Sequence, residues 1–372
     1  MTIRRAEDAV RERLSESDII IGGHRPWDIR VMNPAFYERA LEGGSLEIGE
    51  SYVDGWWECS RLDQLFYRVF LSDMHLALAK SVRGKLEAIR LRLTHHAERP
   101  APPPPRTHDL LGNDLFRAML GSRMAYSCAY WSDTATLDEA QDAQFELVCR
   151  KLELEPGMTV LEHGCGWGAF AKYAAERHGA GVLAVSDSRE QSDLGRELCR
   201  GLPVEIVVED YRKIQGRFDR IVSLGLLERI GPNGFRAYME HAARGLKNDG
   251  IALLHTAGRN VTDPRLDPWL ARHISEIAAP PSLRQLAEAI EGLFVMEDCH
   301  NLGPQYDPTL LAWHVNLERN WPSLSGRYCE RLRRVMKYYL LSSAGSFRSR
   351  RSQVFQIVMT KTGRRQPRCR LR

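Results

Sequence analysis

The chain has 372 residues, 43% of them hydrophobic, and a formal net charge of +4; that is enough for two domains with buried cores, and too little charge for a protein built mainly to neutralise nucleic-acid phosphates. Eight cysteines occur without a C-x-x-C pair or Cys/His ligand spacing, which argues against structural zinc or a disulfide framework and for a reducing compartment. No apolar run approaches the ~18 residues that span a bilayer, and the opening MTIRRAEDAVRERL has no apolar signal core, so a cytoplasmic protein is expected.

Residues 1–100 read as a smaller, mainly helical N-terminal domain. An amphipathic opening helix is followed by a short strand, a helix and glycine punctuation in DIRVMNPAFYERALEGGSLEIGESYVDGWWE. A long helix then runs from Phe66 to Leu93 with Lys80, Arg83, Lys85, Arg90 and Arg92 on one face, as a solvated surface or as a contact for an anionic membrane. Residues 101–106 form a proline-rich linker, stiff and non-helical. From 107 to 372 strand and helix alternate: MTVLEHG, AGVLAVSDS, VEIVVEDYR, FDRIVSLGLLE and GIALLHTAG are strands, with helices such as GAFAKYAAERHG between them. This calls for a doubly wound, mostly parallel α/β sheet whose ligands sit at the carboxyl ends of the strands. No acid follows Phe347, and the last nine residues read as a solvated basic tail.

Gly164, Gly166 and Gly168 follow the first of these strands and bring backbone amides close to a ligand. With Ala169 they also satisfy the looser G-x-G-x-x-A dinucleotide form, and Asp187 stands near where a ribose-binding acid belongs. Glu162 at the strand end suits a cationic amino-acid moiety better than a pyrophosphate. Asp210 and Tyr211 end the third strand and offer an acceptor and a ring to an adenine, so S-adenosylmethionine is favoured over a nicotinamide.

Beyond the glycine loop, GSLEIGESYVDGWWE, LGNDLF, YSCAYW, GCGWG, FDRIVSLGLLERIGP, LLHTAG, DPW, FVMEDCHNLGPQYDPTL and YYLLSSAGSFRSR follow one another from about residue 26 to about residue 360. In these motifs the chain resembles the cyclopropane fatty acid synthases, the lipid-modifying branch of class I S-adenosylmethionine methyltransferases. The resemblance implies a seven-stranded Rossmann-like methyltransferase sheet, and a reaction in which the methyl carbon of the donor joins a cis double bond of a phospholipid acyl chain. The ring closes by proton loss to a bound bicarbonate. It implies peripheral association with an anionic membrane at its inner face, a homodimer and no nucleic-acid partner. Carried over residue by residue, Cys128, Glu228, His255 and Tyr306 are the catalytic set, and with the backbone at Ala257 they hold the bicarbonate. Tyr126, Ser127, Gly164, Gly166, Ser186, Asp187, Gln191, Asp210, Tyr211 and Leu224 hold the donor, joined by Glu162 and Gly168 from the reading of the strand end and glycine turn. An acid at 228 beside an anion requires a charged His255 or a proton on one of the acids.

The chain departs from the family pattern at His108–Leu110, at His163 where an apolar residue is usual, at Asp187 for an aliphatic one, at Arg229 for a histidine, across 271–282, and at Ser343 for a cysteine. These departures keep three alternatives open: lipid C-methylation without ring closure, a non-catalytic lipid- or donor-binding regulator, and a nicotinamide-dependent oxidoreductase.

Overall fold

Short apolar runs alternating with amphipathic segments are what a parallel sheet wrapped by helices requires. A computed structural model of the chain, which describes residues 3–72, 111–132, 136–274 and 277–371, contains that arrangement. The proline-rich linker and the basic face at 80–92 lie outside the described residues.

The chain divides into two compact units, each discontinuous in sequence. The first takes the described residues up to 72 together with 265–274 and 318–351; the second takes 111–264, 277–317 and 352–371.

In the first unit a two-stranded antiparallel ribbon, β1 (Arg30–Val31) and β2 (Trp57–Glu58), accompanies helices Ile3–Ser15, Phe36–Val53 and Leu62–Leu71. Its motif residues are there for packing. A Cβ at Gly49 would stand 2.2 Å from Trp269 Cδ1, so the indole requires the glycine. Asp267 caps the helix Pro268–His273 by accepting from the Trp269 N–H at 2.9 Å. Tyr338 meets the rings of Trp269 and Tyr52 at centroid distances of 4.4 and 5.5 Å. On the same helix, Glu330–Arg348, a Cβ at Gly345 would come within 2.7 Å of Phe66 Cβ. Asp63, buried on the facing helix, is held by Arg61 and Arg348 at 2.9 and 2.8 Å.

The second unit is built on a seven-stranded sheet: β3 (Thr159–His163), β4 (Gly181–Ser186), β5 (Val204–Val208), β6 (Phe218–Leu224), β7 (Leu246–Arg259), β8 (Val295–Asn301) and β9 (Ser352–Thr360), in the order β5-β4-β3-β6-β7-β9-β8. The first five in that order run parallel; β9 is antiparallel to both β7 and β8. The strand order reverses between β3 and β6, the switch point where α/β sheets bind ligands. Each face carries its own core. One gathers Val160, Val222, Leu253 and Val358, the other Leu161, Ile221, Leu254 and Ile357.

The final residues correct one expectation. Cys369 is fully buried in the first of these cores, Arg364 pairs with Glu153 at 3.1 Å, and the Arg368 N–H donates to the same carboxylate at 2.7 Å. A buried thiol and a shared acid dock this segment, so it is not a solvated tail.

Candidate functional site

The turn after β3 folds back on β4, with the amides of Gly164 and Cys165 both donating to the Val185 carbonyl, at 2.9 and 3.0 Å. Gly164, Gly166 and Gly168 have φ of 76°, 54° and 74°, the left-handed region in which side chains are strained. At Gly166 a Cβ would meet nothing within 4 Å, so the backbone there is bare toward its surroundings. Beneath the turn Glu162 is buried, with Oε2 unpartnered, and burial pushes its carboxyl up to about 8. The turn is also tied down from outside: Trp167 Nε1 donates to Asn113 Oδ1 at 2.6 Å, and the Asn113 N–H donates to Glu190 Oε1 at 3.0 Å. Asn113 joins the LGND segment, the glycine turn and the helix after β4, a part that motif reading did not single out.

At the end of β4, Ser186 Oγ accepts from the Ser188 N–H at 3.2 Å, and Ser188 caps the helix that carries buried Gln191. Asp187 forms an ion pair with Arg229 at 2.8 Å. Beyond β5, Asp210 is paired with Arg212, whose hydrogen bonds hold the carboxyl down at about 2. Tyr211 lies in an aromatic group with His163, Tyr238 and His241, its ring 5.6 Å from His163. That explains the departure at 163: the imidazole fills the cluster, faces the Tyr238 hydroxyl at 3.3 Å, and is kept neutral by burial.

The second part of the site lies on β7 and β9. β6 ends at Leu224, opposite His255, and beyond it the backbone of β7 loses its parallel neighbour. Glu228, in the short helix Leu227–Ile230, takes that place: its Oε1 accepts from the Ala257 N–H at 2.5 Å. Its Oε2 is buried without a partner, and burial raises its carboxyl. His255 is 2% exposed, its Nδ1 is unpartnered, and burial with Lys151 and His300 nearby drives its pKa down to about 3. Burial thus disfavours the charged form of both His255 and Glu228. Ala278, from the 271–282 stretch that departs from the family pattern, donates its N–H to the Glu228 carbonyl at 2.5 Å.

YSCAYW is clasped by the helix Gly303–Leu324. Gln305 Oε1 accepts from the Trp131 N–H at 2.8 Å, and Thr309 Oγ1 accepts from Trp131 Nε1 and the Ala129 N–H at 2.9 and 3.2 Å. Tyr126 and Tyr306 both pack on Trp313, at 5.2 and 5.7 Å. Cys128 is 1% exposed and points its thiol at the Ala129 and Leu302 carbonyls; burial raises it well above the ordinary thiol range. Burial therefore favours the protonated thiol over the nucleophilic thiolate. Leu302 donates to Val354, the cross-strand partner of Ala257, so the Cys128 loop reaches the Glu228 region in one strand step. Ser343 lies in the first unit, partly buried on the helix Glu330–Arg348, and 108–110 lie outside the described residues.

Residues 99–357 match the mycolic acid cyclopropane synthetase family. The chain is 44% identical over 351 residues to the cyclopropane-fatty-acyl-phospholipid synthase of Escherichia coli K12, covering 94% of this chain and 92% of that one. Among solved structures, the cyclopropane synthase MmaA2 of Mycobacterium tuberculosis is similar with a TM-score of 0.65 at 28% identity, covering 69% of this chain and 97% of that one. The mycolic acid cyclopropane synthase CmaA1 complexed with SAH and CTAB gives 0.64 at 30% identity, with the same coverage.

Proposed function

The chain belongs to the mycolic acid cyclopropane synthetase family and is an S-adenosylmethionine-dependent methyltransferase of the cyclopropane fatty acid synthase type; on that premise we propose that it builds a cyclopropane ring across the cis double bond of a phospholipid acyl chain, with Glu228, His255, Tyr306 and the Cys128 loop around a bicarbonate. The observation that carries this reading is the arrangement of Glu228 and His255 at the end of β6: each has a buried, unpartnered polar atom, one is fixed by the Ala257 amide, and burial disfavours the charged form of both.

When bound, the sulfonium donor supplies the methyl carbon, and bicarbonate supplies a base that takes the surplus proton. The residues present fit both. Bare backbone at Gly166, the acceptor Asp210 and the ring of Tyr211 suit the nucleoside, Tyr126 and Ser127 the methionine end, and Glu162 a cationic ammonium. Ser186 ends β4 and Leu224 ends β6, the two neighbours of β3, with Asp187 and Gln191 just beyond Ser186. For the anion, a protonated Glu228 offers an O–H from Oε2 while Oε1 stays on Ala257, so the Ala257 amide acts by orienting that carboxyl. Neutral His255 adds no charge that would quench the base. Cys128, held as a thiol, is not alkylated where a thiolate would be, and its backbone remains free to line the site. Burial of His255, of Cys128 and of the Glu228 Oε2 atom strengthens the hydrogen bonds aimed at the positive charge that develops on the acyl chain.

The phospholipid substrate places the enzyme at a membrane surface. Among the described residues no helix is long and apolar enough to cross a bilayer, and peripheral association with the inner face is part of the proposal, as is a homodimer. The test is product analysis after incubation with S-adenosylmethionine and vesicles carrying cis-monounsaturated chains. One added methylene per chain in a product resistant to ozonolysis is expected; an added carbon with a surviving double bond identifies a lipid C-methyltransferase instead.

A further inference from the structure

One rung of the sheet carries three polar side chains in a row. His255 on β7 stands opposite Gln356 on β9, and Gln356 stands opposite His300 on β8. Residues directly opposite on neighbouring strands present their side chains to the same face. Gln356 is fully buried between Val354 and Val358, which share its face, and neither its amide nitrogen nor its carbonyl oxygen has a partner. A valine would continue the pattern at no desolvation cost, so the amide must have a reason other than packing. The same condition holds for its neighbour His255 at Nδ1 and for Glu228 at Oε2.

The far end of the row sets a direction. Lys151, itself fully buried, places Nζ 3.2 Å from His300 Nδ1 and 3.3 Å from Asp298 Oδ2. An ammonium only donates, so His300 Nδ1 accepts and the ring proton is on Nε2. A donor at His300 Nε2 would favour the Gln356 carbonyl oxygen on that side, leaving the two N–H groups for the His255 side.

We propose that Gln356 contacts the small oxyanion held beside His255 and Glu228, donating an amide N–H to it, and that the Lys151–His300 pair fixes which end of the amide faces the anion. The inference rests on the bicarbonate reading above. A planar anion with three oxygens needs donors from several sides, and Glu228 with the Cys128 loop supplies only some of them. Glutamine adds one without a charge that would compete for the proton and without a nucleophile that would be alkylated.

The test uses the full-length protein in buffer freed of carbon dioxide, with sodium bicarbonate as the probe. Thermal melting is followed against bicarbonate concentration for the wild type, Gln356→Met and Gln356→Glu, and donor affinity is measured by calorimetry on each. Gln356→Met is expected to need at least about tenfold more bicarbonate for half of the melting shift and for half-maximal rate, while binding the donor normally. Gln356→Glu, which sets a carboxylate against the anion, is expected to show no bicarbonate shift. Equal half-saturation in wild type and Gln356→Met overturns the assignment of Gln356 and leaves the bicarbonate reading intact. A wild type whose melting and rate ignore bicarbonate overturns that reading, and the inference with it. Should Gln356→Met not fold, Gln356→Glu and Gln356→Asn answer the same question, because a merely structural amide leaves their bicarbonate response unchanged.

Discussion

The Arg229 guanidinium lies 2.8 Å from the Asp187 carboxylate, so two positions at which the chain departs from its family's pattern are partners in one ion pair. The pair joins the end of β4 to the helix that carries Glu228. Both side chains keep contact with solvent, at 24% and 38% relative exposure, which limits the pair to about 0–1 kcal/mol of stability. Its consequence should fall on donor binding: removing Asp187 leaves a cation beside the site of a cationic donor. Asp187→Ala is expected to weaken S-adenosylmethionine binding several-fold, and Arg229→Ala added to it should recover most of the loss. A double-mutant cycle by calorimetry checks this, and additive effects would refute the coupling.

A thiol among three aromatic residues invites the idea of a catalytic nucleophile, and the burial of Cys128 opposes it. Cys128→Ala removes a small buried group whose sulfur approaches the Ala129 and Leu302 carbonyls and the Thr309 side chain. It is expected to keep the rate within about tenfold of wild type, at a stability cost of ~1 kcal/mol. Iodoacetamide should inactivate the wild type no faster than the variant. A loss of three decades on substitution would return the thiol to the chemistry.

The strands and the glycine turn were legible because their causes are local. Buried parallel strands read as apolar runs, and positive φ at Gly164, Gly166 and Gly168 demands glycine. What was not legible depends on partners distant in sequence. Gln356 reads as a polar break in an apolar strand until β7 and β9 are paired, and Lys151 at a helix end looks solvated until β8 is placed over it. Likewise the proline run marks a division along the chain, whereas the first unit also draws residues 318–351, whose Gly345 fits only against Phe66. Cation density suggested a free tail, but the single buried Cys369 determines where that segment lies.

Ending the chain after Thr360 should therefore destabilise the second unit and leave lipid affinity unchanged. The truncation uncovers the core cluster around Cys369 and strips Glu153 of Arg364 and the Arg368 amide. A loss of ~2–4 kcal/mol in urea denaturation is expected, with unchanged vesicle binding at low salt. Intact stability with weaker binding to anionic vesicles would reinstate the tail as a membrane contact.

In the proposed site Glu228 acts as an acid that keeps its proton. Glu228→Ala removes both the bond to Ala257 and the donor, and should cost on the order of 10²-fold in rate. Glu228→Gln preserves an acceptor for Ala257 and an N–H in place of the O–H, so it should retain more activity than alanine. The pH profile separates them. Since burial raises the carboxyl, the protonated form persists above the ordinary carboxylate range and is lost as pH rises. The wild-type rate should fall along that limb, and the Gln variant should lack it. Identical profiles would assign the proton elsewhere.

In the proposed donor site Glu162 is expected to link donor binding to protons. With its carboxyl raised to about 8 by burial, it is largely uncharged at pH 7 in the donor-free protein, although the Ala171 amide favours the charged form. A cationic ammonium arriving beside it restores the carboxylate and expels the proton. Calorimetry at pH 7 in two buffers of different ionisation enthalpy should thus register the release of close to one proton per donor bound, and apparent affinity should climb by up to ~10-fold per pH unit until pH reaches about 8. Stability carries the opposite sign. The folded value lies above the ordinary 4.5, so this group's contribution is complete below that pH and is lost as pH rises through about 8. Glu162→Gln should remove that slope, making the donor-free protein relatively more stable at pH 7 to 8, while weakening the donor by at least tenfold, the equivalent of ~1.4 kcal/mol. A wild type that binds the donor without proton release, or a Gln variant with an unchanged stability slope, would mean that Glu162 is ionised before the donor arrives.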